Sequence, residues 1–132
     1  MYCLGKLNQF NVNSKILAMF YSSAICCVWK YCLSCWSGDA FQADKDRIDK
    51  IIRRAGRVIG ECQAGVDACS RRALVSRFEA VWGDESHPLH QEFASAIIPR
   101  SGRMRLPAAH TNRDKSSFVP SAINIHNESV HR

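Results

Sequence analysis

Cys32-Leu-Ser-Cys35 and His87-Pro-Leu-His90 are the residues whose types and spacing could hold a metal. A C-x2-C joined to an H-x2-H offers the nitrogen and sulfur donors of a tetrahedral zinc site. The gap between the two pairs is long, however, and finger-type histidines are spaced more widely than these. Cys32 and Cys35 also lie in an apolar run between Tyr31 and Trp36, where reduced core thiols are expected. The cysteine count of seven is odd, unlike a secreted disulfide framework. A thioredoxin-like redox pair needs a βαβ context that this pattern lacks. No particular cysteine is tied to a particular histidine, as nucleophilic catalysis would require. The phosphate-binding glycine loops, the G-x-S-x-G elbow and H-E-x-x-H are all missing. Asp44, Asp46 and Asp49 open a helix among basic residues, where they read as capping and salt-bridging groups rather than metal ligands. No catalytic residue, metal ligand or cofactor is therefore assigned, and the chain is read as not being an enzyme.

The other chemistry in the sequence is cationic. Formal net charge is +6, a balance that suits an anionic partner such as nucleic acid. Two segments concentrate it. Asp44 to Gly60 holds six basic side chains against three acidic ones, with Arg53, Arg54 and Arg57 crowded at its end. Arg100, Arg103, Arg105, Arg113 and Lys115 face only Asp114 in the second segment, where Ser101, Thr111 and Asn112 add neutral donors. These eight cations are the candidate contacts to RNA or DNA phosphates, and binding through them would weaken steeply with salt.

The elements that must position them follow from periodicity. Residues 1–13 show no sustained period and read as a ragged or disordered start. Ser14 is a plausible N-cap for the apolar run that follows. Ile16 to Trp36 is apolar nearly all round, and Ser37-Gly38-Asp39 ends it. Its uncharged part is short for a bilayer span and Lys30 would sit inside a longer one, so a buried core helix is expected rather than a membrane segment. From Asp44 to Gly60, Ile48, Ile51, Ile52, Ala55, Val58 and Ile59 fall on one helical stripe. Acids crowd the first turns, arginines the last, and Gly60 is a natural stop. Gly56 weakens this helix by about 1 kcal/mol relative to alanine. A third helix from about Asp67 to Trp82 carries Leu74, Phe78 and Val81 on its apolar face. A short one is expected around Leu89 to Ile98, closed by Pro99. Arg100 to Lys115 reads as a loop or extended arm. Phe118 to His126 reads as a short helix with Pro120 in its first turn. The expectation is an all-α fold, a small irregular bundle of three to four helices over 14–98. Residues 99–132 form a basic extended arm with a short apolar end.

Several segments in order resemble the C-terminal tail of non-LTR (LINE-type) retrotransposon reverse transcriptases. Met19-Phe-Tyr through Cys35-Trp-Ser-Gly38 is similar to the family's "FY…S…Y…CW-G" helix. Asp46 through Gly60 resembles its "D…RL-KI-R-A-R-IG" helix. His87-Pro-Leu89 with Phe93, Ser101 through Pro107, and His110 through Ile123 with Asn127 continue the series, with Met104 and His110 where the family pattern has arginine. The resemblance covers roughly residues 17–127. It implies thumb-like helices that follow the polymerase palm, help to hold template and primer, and lean on a polymerase body encoded upstream of Met1. It implies no catalytic group here, because the metal-binding aspartates belong to the palm. The reading of the cysteines as reduced thiols points to an intracellular site, cytoplasmic or nuclear. The Asp44–Gly60 region is also similar to the N-terminal segment of the alkylated-DNA-repair dioxygenase/tRNA-methyltransferase family. No H-x-D pair for an iron site and no glycine-rich methyl-donor loop accompanies that similarity, so neither activity is carried over. Two other readings stand beside the first: a helical module docking its isoleucine stripe on a partner, and a membrane-associated protein anchored by residues 16–36.

Overall fold

The computed structural model describes residues 2–130 and is all-α. Two compact units share the chain. Unit one is Met1–Leu33 with Ala40–Cys69, and unit two is Ser34–Asp39 with Ser70–Arg132.

Unit one begins with α1, Tyr2–Gln9, where a ragged start was expected. Leu4 accounts for the difference, because it is fully buried and ties the short helix down. Asn13, not Ser14, caps α2 (Ser14–Phe20), its side chain accepting from the Lys15 amide at 2.9 Å. A π-helical stretch, Tyr21–Cys26, continues into α3, Cys27–Lys30. The helix then breaks earlier than Ser37-Gly38-Asp39. Tyr31 turns extended at ψ 127° and Cys32 takes a left-handed φ of 47° before α4, Leu33–Trp36. One side of this run packs on α5, Gln42–Ile59. Leu4, Leu17, Tyr21, Cys26, Ala55 and Ile59 make a common core. The rest of the run is open, which corrects the expectation of a buried helix. The Tyr21 hydroxyl and the Trp29 indole nitrogen are buried without a hydrogen-bond partner among the described residues. Burial, and secondarily the neighbouring Cys26, raises the Tyr21 phenol above its ordinary pKa.

α5 follows its sequence pattern closely. Ile52, Ala55 and Ile59 are buried, Ile48 and Val58 are half-buried, and Ile51 stands exposed. Gly60 adopts φ 83° and donates to the Gly56 carbonyl at 2.8 Å, a left-handed C-terminal stop. Gly56 is more than a tolerated weakness. The chain folds back so closely that a Cβ there would lie 2.6 Å from the Glu61 carbonyl oxygen. Asp49 accepts from the Val66 amide at 2.9 Å and so caps the first turn of α6, Val66–Trp82. Lys45 and Asp67 pair at 3.3 Å beside it.

In unit two, Val81 of α6, Phe93 of α7 (His90–Ala96), Met104, and Ala122 and Ile123 of α9 (Phe118–Val130) form the core. Phe78 and Phe118 meet Phe93 edge-on, at 5.1 and 6.3 Å between centroids. Residues 100–115 are not simply a loop. A Thr111–Asp114 capping box, with both bonds at 3.1 Å, starts α8, Asn112–Ser116. The Gly38 turn fits under α8 because a Cβ would come within 2.1 Å of the Ser116 carbonyl. Pro120 lies in the first turn of α9, as expected, but α9 continues past His126 to Val130.

Candidate nucleic-acid interface

The cations of α5 sit where helix geometry sends them. Successive residues turn by ~100°, so Arg47, Lys50, Arg54 and Arg57, spaced by three and four, form one row. Ile52, Ala55 and Ile59 lie on the opposite side, held in the core. Arg53 stands at the edge of the row. Together with Ile51, the five cations line a shallow depression of about 450 Å³. Arg47 pairs with Asp44 at 3.0 Å, both exposed, and the Arg53 Nε donates to the Asp49 carbonyl at 3.3 Å. Lys50, Arg54 and Arg57 form no ion pair with any described residue.

Unit two positions its cations differently. Arg103 and Arg105 flank Met104, which is only 2% exposed and belongs to the core. In extended backbone, neighbours alternate in direction, so burying Met104 turns Arg103 and Arg105 together to the outside. The segment is fixed on both sides. An antiparallel bridge joins Met104 to Ile97, with Ile98 N–H donating to Arg103 C=O and Arg105 N–H to Ala96 C=O, each at 2.7 Å. The Asn127 side chain accepts from Met104 N–H at 2.8 Å and donates to its carbonyl at 2.9 Å. Arg100 is exposed on the tight turn between Ile98 and Gly102. Arg113 pairs with Asp39 at 3.0 Å, which offsets its charge, and Lys115 is exposed on α8. Asp114 is held below the usual carboxylate range by the Thr111 hydroxyl and amide, and so stays ionised.

Of the eight cations singled out from the sequence, Arg53, Arg54 and Arg57 therefore belong to unit one. Arg100, Arg103, Arg105, Arg113 and Lys115 belong to unit two. Arg47 and Lys50 complete the α5 row and were not among the eight. Their spacing to Arg54 and Arg57 was the available signal, hidden by their neighbours Asp44, Asp46 and Asp49.

The thiols are a correction. Only Cys26 is buried; Cys3, Cys27, Cys32, Cys35 and Cys62 are exposed and Cys69 is intermediate. The run holding most of them presents one side to the core, so a cysteine's register, not its apolar setting, decides its burial. Among the described residues no cluster of His, Cys, Asp or Glu could hold a metal ion. His87 Nδ1 accepts from the Leu89 amide at 3.1 Å and His90 stacks near Trp82, centroids 5.5 Å apart.

Of the isoleucine stripe, Ala55 and Ile59 belong to unit one's core with Val58 packed against it, Ile52 is buried, Ile48 is half-buried and Ile51 is exposed. Comparison of the chain with protein families, with curated proteins and with solved structures finds no match in any of them.

Proposed function

We propose that this protein binds nucleic acid through its phosphates, without sequence selectivity and without catalysing a reaction. It does so as a stretch of the tail region of a LINE-type reverse transcriptase. The observation that carries the reading is the α5 row: five cations on the face opposite the core, three of them without an ion pair among the described residues. A helix surface of that kind can follow a phosphate backbone while its core face stays packed. Arg103 and Arg105 supply a second, smaller contact in unit two. In the parent polymerase such contacts would steady template and primer, with the polymerase body as partner, inside the cytoplasm or nucleus.

Fluorescence anisotropy with labelled duplex DNA and single-stranded RNA tests the proposal. Affinity should fall linearly on logarithmic axes as salt rises, by ~0.9 in slope for each duplex phosphate engaged. Replacing Lys50, Arg54 and Arg57 by glutamine should flatten that slope by ~3, about one per lost phosphate contact. Random-sequence competitors should displace the probe equally. Absence of binding at low salt, or binding indifferent to salt, defeats the reading.

A further inference from the structure

The part of the Ser14–Lys30 run that does not pack on α5 is open, carries exposed apolar residues beside Ser22 and Ser23, and has exposed lysines near both ends. Ile16, Met19 and Val28 are exposed, the last two by 70% and 71%, and Tyr2 and Phe10 of the α1 segment are exposed as well. Two polar side chains of the run bond back to their own helix. The Ser23 hydroxyl donates to the Met19 carbonyl at 2.8 Å, and the Cys27 thiol to the Ser23 carbonyl at 2.6 Å. Hydroxyls and thiols satisfied on their own helix suit a surroundings that offers no hydrogen bonds. Lys6, Lys15 and Lys30 are all exposed, and no acidic residue precedes Asp39. Lys6 lies over the Tyr2 ring at 5.8 Å and Lys30 over the Trp29 ring at 5.4 Å.

We infer that unit one seats this face on an anionic lipid bilayer. Met19, Ile16 and Val28 sink into the headgroup boundary, and Lys6, Lys15 and Lys30 reach lipid phosphates and carboxylates. Lysine is depleted in protein–protein interfaces, whereas apolar residues bordered by lysine alone are the signature of a lipid-facing surface. The long alkyl stems let each ammonium stay at headgroup level while its neighbours are immersed.

The segment lies on the bilayer rather than across it. By length and composition Ser14–Trp36 could span, with mean hydropathy 1.5. Its helix is nevertheless interrupted at Tyr31 and Cys32. The uninterrupted part from Ser14 to Lys30 measures roughly 25 Å at 1.5 Å per residue, short of the ~30 Å hydrocarbon core. Leu17, Tyr21 and Cys26 on its inner side are locked against Ala55 and Ile59, and spanning would tear that core open. The α5 cations lie on the far side of the same core, so a seated unit one keeps them facing water.

Co-sedimentation of the full chain with vesicles tests this, comparing phosphatidylcholine alone with phosphatidylcholine containing phosphatidylserine. The expected result is binding to the serine-containing vesicles only. Met19→Ser with Val28→Ser, both at exposed positions, should weaken it at least tenfold. Each of Lys6→Gln, Lys15→Gln and Lys30→Gln should weaken it about fivefold. Arg54→Gln with Arg57→Gln should leave it unchanged while lowering nucleic-acid affinity, which separates this surface from the α5 row. Circular dichroism checks that the apolar variant folds; if it does not, the lysine variants decide. No vesicle binding, loss through the α5 pair instead, or a self-associated chain that ignores vesicles overturns the inference.

Discussion

Unit one and unit two both display arginines, by opposite means. On α5 the helix does the work: a core stripe at one set of spacings leaves the cations in a row on the other side. Around Met104 no regular element exists, and Arg103 and Arg105 face outward only because a buried methionine lies between them. The Asn127 amide and the bridge to Ile97 hold the backbone there. A periodic element tolerates change almost anywhere along its exposed face, whereas a pinned segment depends on its few pins. The cores differ too. Unit two closes on edge-on aromatic rings, while unit one leaves a tyrosine hydroxyl and an indole nitrogen without a hydrogen-bond partner among the described residues.

The largest expected effect falls on unit two. Phe93 is fully buried between Phe78 and Phe118, so Phe93→Ala should cost about 3–5 kcal/mol in urea unfolding. If the units unfold separately, the transition should split, with the α5 helix melting later. The counterpart in unit one is Gly56→Ala, where the added carbon meets the Glu61 carbonyl. It should destabilise by about 1–3 kcal/mol. An alanine of ordinary helix propensity at a roomy site would instead stabilise, so the sign of the change is decisive.

Asn127→Ala isolates the pin. It leaves the Met104 N–H and C=O without their side-chain partner and should cost about 2 kcal/mol. Hydrogen exchange should rise at residues 103–105, and the salt slope of nucleic-acid binding should drop by at most the contribution of Arg103 and Arg105. Loss of the whole slope would mean that the α5 row carries nothing. The smallest effect runs the other way. Tyr21→Phe removes an unsatisfied buried hydroxyl and should stabilise unit one by about 1 kcal/mol. The folded state holds the Tyr21 proton more tightly than the unfolded chain does. Its stabilising share is therefore complete below the ordinary pKa of 10.0 and is lost as pH rises through the higher folded value. Alkaline titration of unfolding should be steeper for the native protein than for Tyr21→Phe.

The legible parts of this molecule are the periodic ones. Asp44, Asp46 and Asp49 at one end, Arg53, Arg54 and Arg57 at the other, and Gly60 after them delimit α5 to within two residues. Asp67, Trp82 and Pro120 mark α6 and the start of α9 almost as well. The remainder depends on contacts between residues far apart in sequence. Asp49 reads as a charge at a helix start and acts as the cap of α6. Gly56 reads as a weakness and is the gap through which the chain returns. Met104 reads as a missing arginine and is a core residue. Thr111 and Asp114 did carry a capping-box pattern, so α8 was within reach of the residues alone.

Local order was thus written along the chain: the all-α class, the length of α5, and the cations opposite its isoleucines. These follow from spacing and end charges within a few turns, which act before any distant residue arrives. Burial was not so written. Which side of the Ile16–Trp36 run meets a core, which cysteines are open, and where Arg103 and Arg105 point were settled by packing partners remote in sequence, because burial belongs to pairs of surfaces and a sequence displays them one at a time.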